Sequence, residues 1–361
     1  MRPTSSGLPG VPDPSGRRFA GRARRRSSPL DRIVRARTLG LAVILALLVG
    51  ACGASGPGDS PSTSEPTAAP GTASASPATS ASPAVAYPIT VQDDAGVSVT
   101  IPSEPRRIVS LTPGTTEILF ALGLSDRVVA TDSASDFPGA AVPLPHVAAF
   151  GSVDVEQIVG LHADLVLAGG NGYTPPDGIA RLRSLGIPVL VIYAPSVDRV
   201  VADVELVGRA AGRATDAAAL ATSMHQDLDA LSAAVRNLPK PRVFYEIDAT
   251  KEIYGPADNS FLAGMIVLAG GDPITSGDPL QFQIPLERLI AADPTVIVLG
   301  DAAFGTTPAT VTQRPGWSVM TAVRTDAIRV VDDKLITRPG PRLAAGLRSL
   351  ILAIHPEAHL P

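Results

Sequence analysis

A pattern of 17 residues occurs twice in this chain. The first copy, residues 153–169, reads VDVEQIVGLHADLVLAG, and the second, residues 284–300, reads IPLERLIAADPTVIVLG. At the offset of 131 positions, Glu156 aligns with Glu287 and Gly169 with Gly300. Each copy predicts a short amphipathic helix, a turn and a buried strand that ends at glycine. Helix-turn-strand units of any α/β protein look alike, but core packing does not require the shared glutamate, so the repeat predicts two lobes of similar design.

The remaining pattern predicts the fold class of both lobes. Predicted strands alternate with predicted helices, which indicates parallel sheets covered on both faces. A β-hairpin is predicted at residues 89–101, and further strands at 105–111, 128–132, 187–193, 242–247 and 328–331; helices are predicted at 178–185, 261–269 and 343–354. We therefore predict an α/β protein with two Rossmann-like lobes, a long α-helix that bridges them and a ligand cleft between them.

One long amphipathic helix is predicted between the lobes. Apolar residues from Leu220 to Leu238 recur at steps of three or four, Thr215–Asp216 offers an N-terminal cap, and Pro239 ends the pattern. A helix of about 23 residues spans about 35 Å, which is long enough to run along both lobes. The predicted organisation is an N-terminal lobe at residues 87–213, a bridging helix at 214–238 and a C-terminal lobe at 239–361.

The first 86 residues predict export and membrane attachment. An arginine-rich start precedes the apolar residues 39–49, which form the pattern of a signal peptide covering residues 1–51. That apolar run is too short to span a bilayer. The segment VGAC at 49–52 resembles the bacterial lipobox, in which the cysteine is lipidated, so Cys52 is the predicted anchor of an extracytoplasmic protein. Residues 53–86 are rich in Ser, Pro, Thr, Ala and Gly and predict a disordered tether.

Charge and residue usage argue against several function classes. Ten of the 30 basic residues lie in the first 37 positions, and the rest of the chain holds 20 basic and 32 acidic residues. This excess of acid argues against nucleic acid as a partner. The chain contains no GxSxG, HExxH or GxxxxGK[ST] motif, so no catalytic residues are predicted.

Metal ligands are also scarce in the sequence. Cys52 is the only cysteine, and the five histidines lie singly, which argues against a dedicated zinc or manganese site. His146 is the only histidine that is a candidate to face the cleft, and a role outside the cleft is the favoured interpretation. No metal and no cofactor are therefore predicted.

Three phrases carry a resemblance to a known family. They are PRRIVSLTPGTTEILFALGLSDRVVATD at 105–132, FGSVDVEQIVGLHADLVLAGG at 150–170 and RPGPR at 338–342. Together they resemble the periplasmic binding proteins that serve ABC importers of cobalamin, iron siderophores and haem, and the resemblance covers residues 87–357. It implies a monomer that delivers a ligand to a permease and its ATPase, with a stiff bridging helix and little hinge bending. The opening phrase is most similar to the cobalamin-binding members.

Ligand contacts are predicted in the loops that follow the strands, because ligands of open α/β sheets lie beyond the carboxyl ends of the strands. Many of these loops carry aromatic residues, which suit a large flat ligand, although each aromatic residue is also a candidate for the core of its lobe. The candidates are Thr112, Pro113, Gly114, Thr115, Asp132, Phe150, Asn171 and Tyr173 in the first lobe, and Tyr254, Phe282, Phe304 and Trp317 in the second.

The resemblance adds a role for one of these aromatic residues. Phe150 stands six residues before Glu156, where cobalamin-binding members carry a tryptophan that stacks on the ligand. The matching position before Glu287 is Gln281, with Phe282 beside it. The preferred ligand is a corrinoid, followed by a ferric siderophore and then haem. A cell-surface enzyme or adhesion module is the alternative of a different class.

Charged residues suggest two further roles. Glu156 and Glu287 each open a predicted helix, where the helix dipole favours a carboxylate by about 0.3–1 kcal/mol, and this alone would account for them. The resemblance instead implies that they dock onto arginines of the permease, where charges at the rim of an interface set orientation and encounter rate. Three arginines are candidates to meet an anionic iron complex: Arg314, Arg338 and Arg342. Arg338 and Arg342 are equally candidates to cap the final helix or to pair with nearby carboxylates.

Overall fold

The computed structural model describes residues 86–361. The predicted signal peptide, the predicted lipidation site Cys52 and the tether up to residue 85 lie outside the described residues. No helix in the described part combines the length and the apolar character needed to cross a bilayer.

The first part of the described chain forms a hairpin and a six-stranded sheet, which we call the N-terminal lobe. The hairpin pairs β1 (Ile89–Gln92) with β2 (Ser98–Ile101). The sheet contains β3 (Ile108–Ser110), β4 (Val128–Asp132), β5 (His146–Ala149), β6 (Ser152–Val153), β7 (Leu165–Gly169) and β8 (Val189–Ile192), in the spatial order β6-β5-β4-β3-β7-β8. All pairs are parallel except β5 with β6. Its helices are α1 (Pro113–Ala121), α2 (Val155–Gly160), α3 (Pro176–Ser184) and α4 (Val197–Ala210).

The predicted bridging helix is α5, which has 22 residues from Ala214 to Val235. The predicted cap was wrong, because the helix begins after Arg213, whose side chain makes no capping hydrogen bond, and Thr215 lies inside the helix. It also ends three residues before Leu238. Gly208 of α4 permits close packing against α5, since a Cβ at Gly208 would lie 2.1 Å from the Cβ of Ala217.

The rest of the chain forms a four-stranded sheet with its helices, which we call the C-terminal lobe. The strands are β9 (Arg242–Glu246), β10 (Asp272–Pro273), β11 (Val296–Leu299) and β12 (Ile328–Val330), all parallel, in the order β10-β9-β11-β12. The helices are α6 (Phe261–Leu268), α7 (Leu286–Ala292), α8 (Pro308–Thr312), α9 (Thr321–Arg324), α10 (Asp333–Ile336) and α11 (Leu343–Ile354).

The two copies of the repeat occupy equivalent places, which confirms the prediction of two similar lobes. The first copy forms α2 and β7, and the second forms α7 and β11. Each strand is buried along its whole length and lies between two parallel neighbours, β3 and β8 or β9 and β12. After each helix one residue adopts a left-handed conformation, His162 (φ 52°) in the first copy and Asp293 (φ 44°) in the second. This conformation turns the chain from helix into strand.

A shared apolar core joins the two lobes through α5. One cluster of buried side chains includes Leu119 of α1, Met224 and Leu228 of α5, and Met265 of α6. On the other faces of the sheets, each lobe has a core of its own. Since interiors of this kind are close-packed, α5 is held by both lobes rather than acting as a loose linker.

Candidate functional site

Two aromatic side chains meet at the carboxyl edge of the N-terminal sheet. Phe150 follows β5 and Tyr173 follows β7, and their rings lie edge to face with centroids 5.5 Å apart. The amide of Gly151 donates a hydrogen bond of 3.1 Å to the carbonyl oxygen of Tyr173, which holds the two loops together. Phe150 is 79% exposed. A large apolar ring that is fixed in place yet open to solvent is suited to contact a ligand.

Tyr173 is oriented by a carboxylate behind it. Its phenol donates a hydrogen bond of 3.1 Å to Asp132, which ends β4 and is fully buried. Burial and the neighbouring carboxylate raise the pKa of Tyr173 well above its ordinary value, so the side chain is a neutral phenol at physiological pH. The prediction that Asp132 contacts a ligand is corrected, because its side chain has no exposed surface.

The start of α1 is covered by the C-terminal lobe. The side chain of Thr112 caps the helix by accepting a hydrogen bond from the amide of Thr115. A Cβ at Gly114 would lie 2.3 Å from the carbonyl oxygen of Pro339, so only glycine permits this approach. Pro113, Gly114 and Thr115 are buried, and Gly114 lies against Pro339 of the C-terminal lobe instead of making the predicted contact with a ligand. Thr112 is half-buried.

The C-terminal lobe brings two further candidates into adjacent backbone segments. Tyr254 forms β-bridges with Asp248 and Gln283, and the amide of Gly255 donates a 2.9 Å hydrogen bond to the carbonyl oxygen of Phe282. Tyr254 is half-buried, whereas Phe282 is exposed. No aromatic contact among the described residues joins these two rings to Phe150 and Tyr173.

Two other candidates are exposed on loops. Phe304, which ends a short 3₁₀ turn after β11, is 90% exposed. Asn171 follows β7 in a left-handed conformation (φ 51°) and is also exposed. Their role in ligand binding stays a prediction.

The prediction that Trp317 contacts a ligand is corrected by its position in the structure. It is only 3% exposed and packs edge to face against Phe244, with ring centroids 6.4 Å apart, inside the core of the C-terminal lobe. The guanidinium of Arg314 lies 4.6 Å from the centre of its ring. The loop that carries Trp317 folds back over the sheet because burying an indole ring contributes more to stability than exposing it.

Two of the three candidate arginines are paired with buried carboxylates that the sequence did not single out. Arg314 binds Glu246 through two hydrogen bonds of 2.6 and 2.8 Å. Arg342 binds Glu117 in the same way, at 2.8 and 2.6 Å. A signal for Glu117 was present in the sequence, since a carboxylate inside the apolar phrase EILFALGL needs a partner when it is buried.

Arg342 belongs to a wider interlobe contact, which comprises Lys334, Arg338 and Arg342 of the C-terminal lobe with Glu117 and Asp136 of the N-terminal lobe. Arg338 donates a 2.6 Å hydrogen bond to Asp136 and lies 3.8 Å from Glu117. Lys334 also binds Asp136. The hydrogen bond from Arg338, supported by that from Lys334, holds the pKa of Asp136 at about 2. These ion pairs give the lobes a second connection besides α5.

The two glutamates of the repeat occupy the same position in their helices. Glu156 is the second residue of α2 and Glu287 the second residue of α7, and both are exposed. Within residues 86–361, neither carboxylate takes part in an ion pair. Both side chains are therefore accessible to a partner molecule.

His146 does not lie near the candidate aromatic residues. It begins β5, whereas Phe150 follows the other end of that strand, so the structure does not support His146 as a residue of the aromatic site. Over the described range, no group of three or more His, Cys, Asp or Glu side chains is arranged to hold a metal ion.

One cavity of about 610 Å³ lies between α4 of the N-terminal lobe and α6 of the C-terminal lobe. Ser196, Asp258, Ser260 and Val267 are among its lining residues, and none of the aromatic candidates lines it. Asp258 is engaged inside its own lobe, where it accepts hydrogen bonds from Thr275 and from the amide of Gly277. This cavity is thus separate from the aromatic loops.

Two α/β lobes with parallel sheets, a single long helix between them and aromatic loops at the carboxyl edges define a two-lobed binding protein. The chain belongs to the periplasmic binding protein family, whose sequence profile matches residues 108–335. Members of this family are solute-binding proteins rather than enzymes. The expected family resemblance is therefore confirmed.

Individual relatives extend over most of the described chain. An uncharacterised ABC transporter substrate-binding lipoprotein of Bacillus subtilis, YvrC, is 32% identical over 276 residues, which is 75% of this chain and 87% of that protein. A cobalamin-binding protein of Halobacterium salinarum is 30% identical over 283 residues, or 75% of each chain. Among solved structures, the periplasmic haem-binding protein RhuT of Roseiflexus superposes with a TM-score of 0.62 at 27% identity, covering 70% of this chain and 99% of that one.

Proposed function

We propose that this protein is the lipid-anchored substrate-binding component of an ABC importer, and that it captures a corrinoid such as cobalamin. The observation that carries the proposal is the Phe150–Tyr173 pair, an exposed aromatic surface held rigidly at the carboxyl edge of the N-terminal sheet. A corrin ring presents a large, mostly apolar face, and an aromatic side chain covers such a face with little loss of conformational entropy. The relatedness to a cobalamin-binding protein supports the same ligand.

The distribution of charge favours an uncharged ligand. Haem carries propionate groups and many ferric siderophore complexes are anionic, so both are usually met by free guanidinium groups. Arg314 and Arg342 already donate two hydrogen bonds each to buried carboxylates, and Arg338 is bound to Asp136. Cyanocobalamin has no net charge and needs no such group. Haem and ferric siderophores are therefore ranked after the corrinoid. They remain the alternative ligands for the same class of protein, because relatives such as RhuT are named as haem-binding proteins.

Tyr173 also weighs against coordination of iron by the protein. A tyrosine that binds ferric iron does so as a phenolate, so the metal ion must displace the phenol proton. The proton of Tyr173 is already directed at the buried carboxylate of Asp132, and burial and this carboxylate raise the pKa of Tyr173. We infer that Tyr173 contacts the ligand with its ring face or edge and not as a metal ligand.

Delivery of the ligand is assigned to the two exposed glutamates. Glu156 and Glu287, one on each lobe, are placed to meet cationic groups of a membrane permease that works with an ATPase. Lipidation at Cys52 and the tether that follows would keep a monomeric protein close to that permease at the outer face of the membrane. The name of the related Bacillus subtilis lipoprotein supports this arrangement.

Ligand choice is tested by calorimetric titration of the purified mature protein with cyanocobalamin, haemin and ferrichrome. We expect cyanocobalamin to bind at least about tenfold more tightly than the other two, a difference of about 1.4 kcal/mol. Preferential binding of haemin or ferrichrome would replace the corrinoid in the proposal. Turnover of a substrate without binding of any of the three would reject the importer function itself.

Replacing Phe150 by alanine is expected to weaken cyanocobalamin binding about tenfold, because the ligand loses an aromatic contact. Thermal stability should stay unchanged, since the ring is 79% exposed in the free protein. Leu185→Ala is the matched control, because Leu185 is an exposed apolar residue at the end of α3, next to the amino edge of the sheet. Equal affinity in the Phe150→Ala and Leu185→Ala variants would contradict the assigned role of Phe150.

A further inference from the structure

Asp132 lies at the meeting point of two sets of contacts. On one side, its Oδ2 accepts the phenol proton of Tyr173, which is in turn packed against Phe150. On the other side, its Oδ1 accepts the hydroxyl of Ser135, and Oδ2 also accepts the amide of Ala134 at 3.2 Å. The carboxylate therefore shapes the turn formed by residues 132–136 while it orients an aromatic residue of the proposed ligand site.

The same turn also binds residues of the C-terminal lobe. Ala134, whose amide is bound by Asp132, accepts a 3.1 Å hydrogen bond from Arg338 at its carbonyl oxygen. Two residues later, Asp136 binds Arg338 and Lys334. The path from Tyr173 to the C-terminal lobe thus passes through one side chain and one short turn.

A buried chain of hydroxyl groups keeps this turn in place. Oγ of Ser135 lies 2.8 Å from Oγ1 of Thr116 on α1, and Thr116 Oγ1 lies 2.8 Å from Oγ of Ser110 at the end of β3. Because Ser135 donates its proton to Asp132, Thr116 donates its single proton to one of these two oxygens at a time. Ser110 is paired in turn with Thr115 at 2.7 Å. Since every member of this network is buried and bonded, movement of Asp132 would break several hydrogen bonds at once.

We propose that Asp132 is a positioning residue for ligand binding, which sets the orientation of Tyr173 and aligns it with the C-terminal lobe through the turn that binds Arg338. Asp132 has no exposed surface, so its carboxylate is not available for direct contact with a ligand. Its effect is exerted through Tyr173 on one side and through Ala134 and Asp136 on the other. The inference rests on the proposed function, because it assigns Tyr173 to the ligand site.

The first test is binding of cyanocobalamin to four variants. Asp132→Ala is expected to weaken binding about tenfold, since a misplaced ring and an unpaired buried phenol both disfavour the complex. Asp132→Asn should recover most of this loss, because its amide oxygen can accept the hydrogen bonds of Tyr173 and Ala134. Its NH2 group can donate to the Ser135 hydroxyl after that hydroxyl rotates. In a Tyr173→Phe background, Asp132→Ala should have a clearly smaller effect, since the two side chains act as one unit.

A matched control separates positioning from loss of stability. Asp93 is another buried carboxylate of the N-terminal lobe, where it accepts hydrogen bonds from the amides of Ala95 and Val97 and pairs with Arg183 at 2.7 Å. It has no contact with Tyr173 or with the turn at 132–136. Asp93→Ala should lower the melting temperature and leave the affinity for cyanocobalamin unchanged.

The second test needs no ligand. Amide hydrogen exchange of the free protein should speed up in Asp132→Ala at two separate places, the loop at residues 170–174 and the segment at residues 335–343. Tyr173→Phe should affect only the first, and Asp93→Ala should affect neither. This pattern distinguishes a link between two sites from a general loosening of the lobe.

The outcomes distinguish the positioning role of Asp132 from the proposed function of the protein. If the wild-type protein binds cyanocobalamin and Asp132→Ala binds it equally well, the positioning role is wrong and the proposed function stands. If the wild-type protein binds neither cyanocobalamin, haemin nor ferrichrome, the proposed function is wrong, and the exchange experiment alone decides whether Asp132 joins the two segments. Unchanged exchange at residues 335–343 in Asp132→Ala would overturn the link.

Discussion

Replacing Glu117 by alanine is expected to lower the free energy of unfolding by about 3 kcal/mol, because removal of one partner leaves the other charge unpaired in a partly buried site. Glu117 is 2% exposed and accepts both hydrogen bonds of Arg342, while Arg338 lies 3.8 Å away. The interlobe contact would keep only the pairs made by Asp136. Urea unfolding followed by circular dichroism measures the change.

Two further variants test whether the unpaired buried charge causes the loss of stability. Asp216→Ala is the control, since Asp216 is exposed and lies 4.0 Å from Arg213, so the unfolding free energy should change by less than about 1 kcal/mol. Combining Glu117→Met with Arg342→Met should restore much of the lost stability, because apolar side chains can replace a buried ion pair. A loss in Glu117→Ala no greater than in Asp216→Ala would show that the interlobe ion pairs do not hold the lobes together.

Reversing both exposed glutamates, in the variant Glu156→Arg/Glu287→Arg, is expected to lower uptake of cobalamin by at least about 100-fold. Cationic groups of the proposed permease would face two new positive charges, and like charges across an interface cost several kcal/mol. Each single reversal should give an intermediate loss. The affinity for cyanocobalamin should stay within about twofold, because both side chains are exposed at helix starts and support no other residue. Uptake is measured in vesicles that contain the permease and the ATPase.

A charge-matched control shows whether the position of the charges matters. Asp227 and Asp229 are exposed on α5, and Asp227→Arg/Asp229→Arg changes the net charge by the same amount. This control should transport normally. Wild-type uptake in the glutamate variant, or an equal loss in the α5 control, would contradict docking through Glu156 and Glu287.

The repeat made much of the fold predictable. The spacing of apolar residues reflects local geometry, because a helix or a strand must turn one face to the core. This spacing correctly predicted α2, β7, α7, β11 and α11. The two copies predicted a turn at Ala163–Asp164 and at Asp293–Pro294, and the structure places the left-handed residue at Asp293 in the second copy but one position earlier than predicted, at His162, in the first. Phe150 and Glu156 were singled out as candidate site residues because they occupy fixed positions relative to the first copy.

Contacts between distant residues were not predictable in this way. Trp317 looked like a loop residue, yet it packs in the core against Phe244, which lies 73 positions earlier in the chain. Arg342 looked available for an anionic ligand, yet it is bound by Glu117 from the other lobe. Periodicity reports which face of an element is buried, but it carries no information about which other element covers that face.

By itself, the amino-acid sequence determined the α/β class, the two matched lobes, the long helix between them and the exposed acid at the start of each repeated helix. These features follow from local patterning and from the comparison of one half of the chain with the other. Only the tertiary structure decided that Asp132 lies behind Tyr173 and that three cations of one lobe bind two carboxylates of the other. Such pairings form between segments that are distant in the sequence, because an unpaired buried charge is unfavourable and the tertiary fold determines which opposite charge lies beside it.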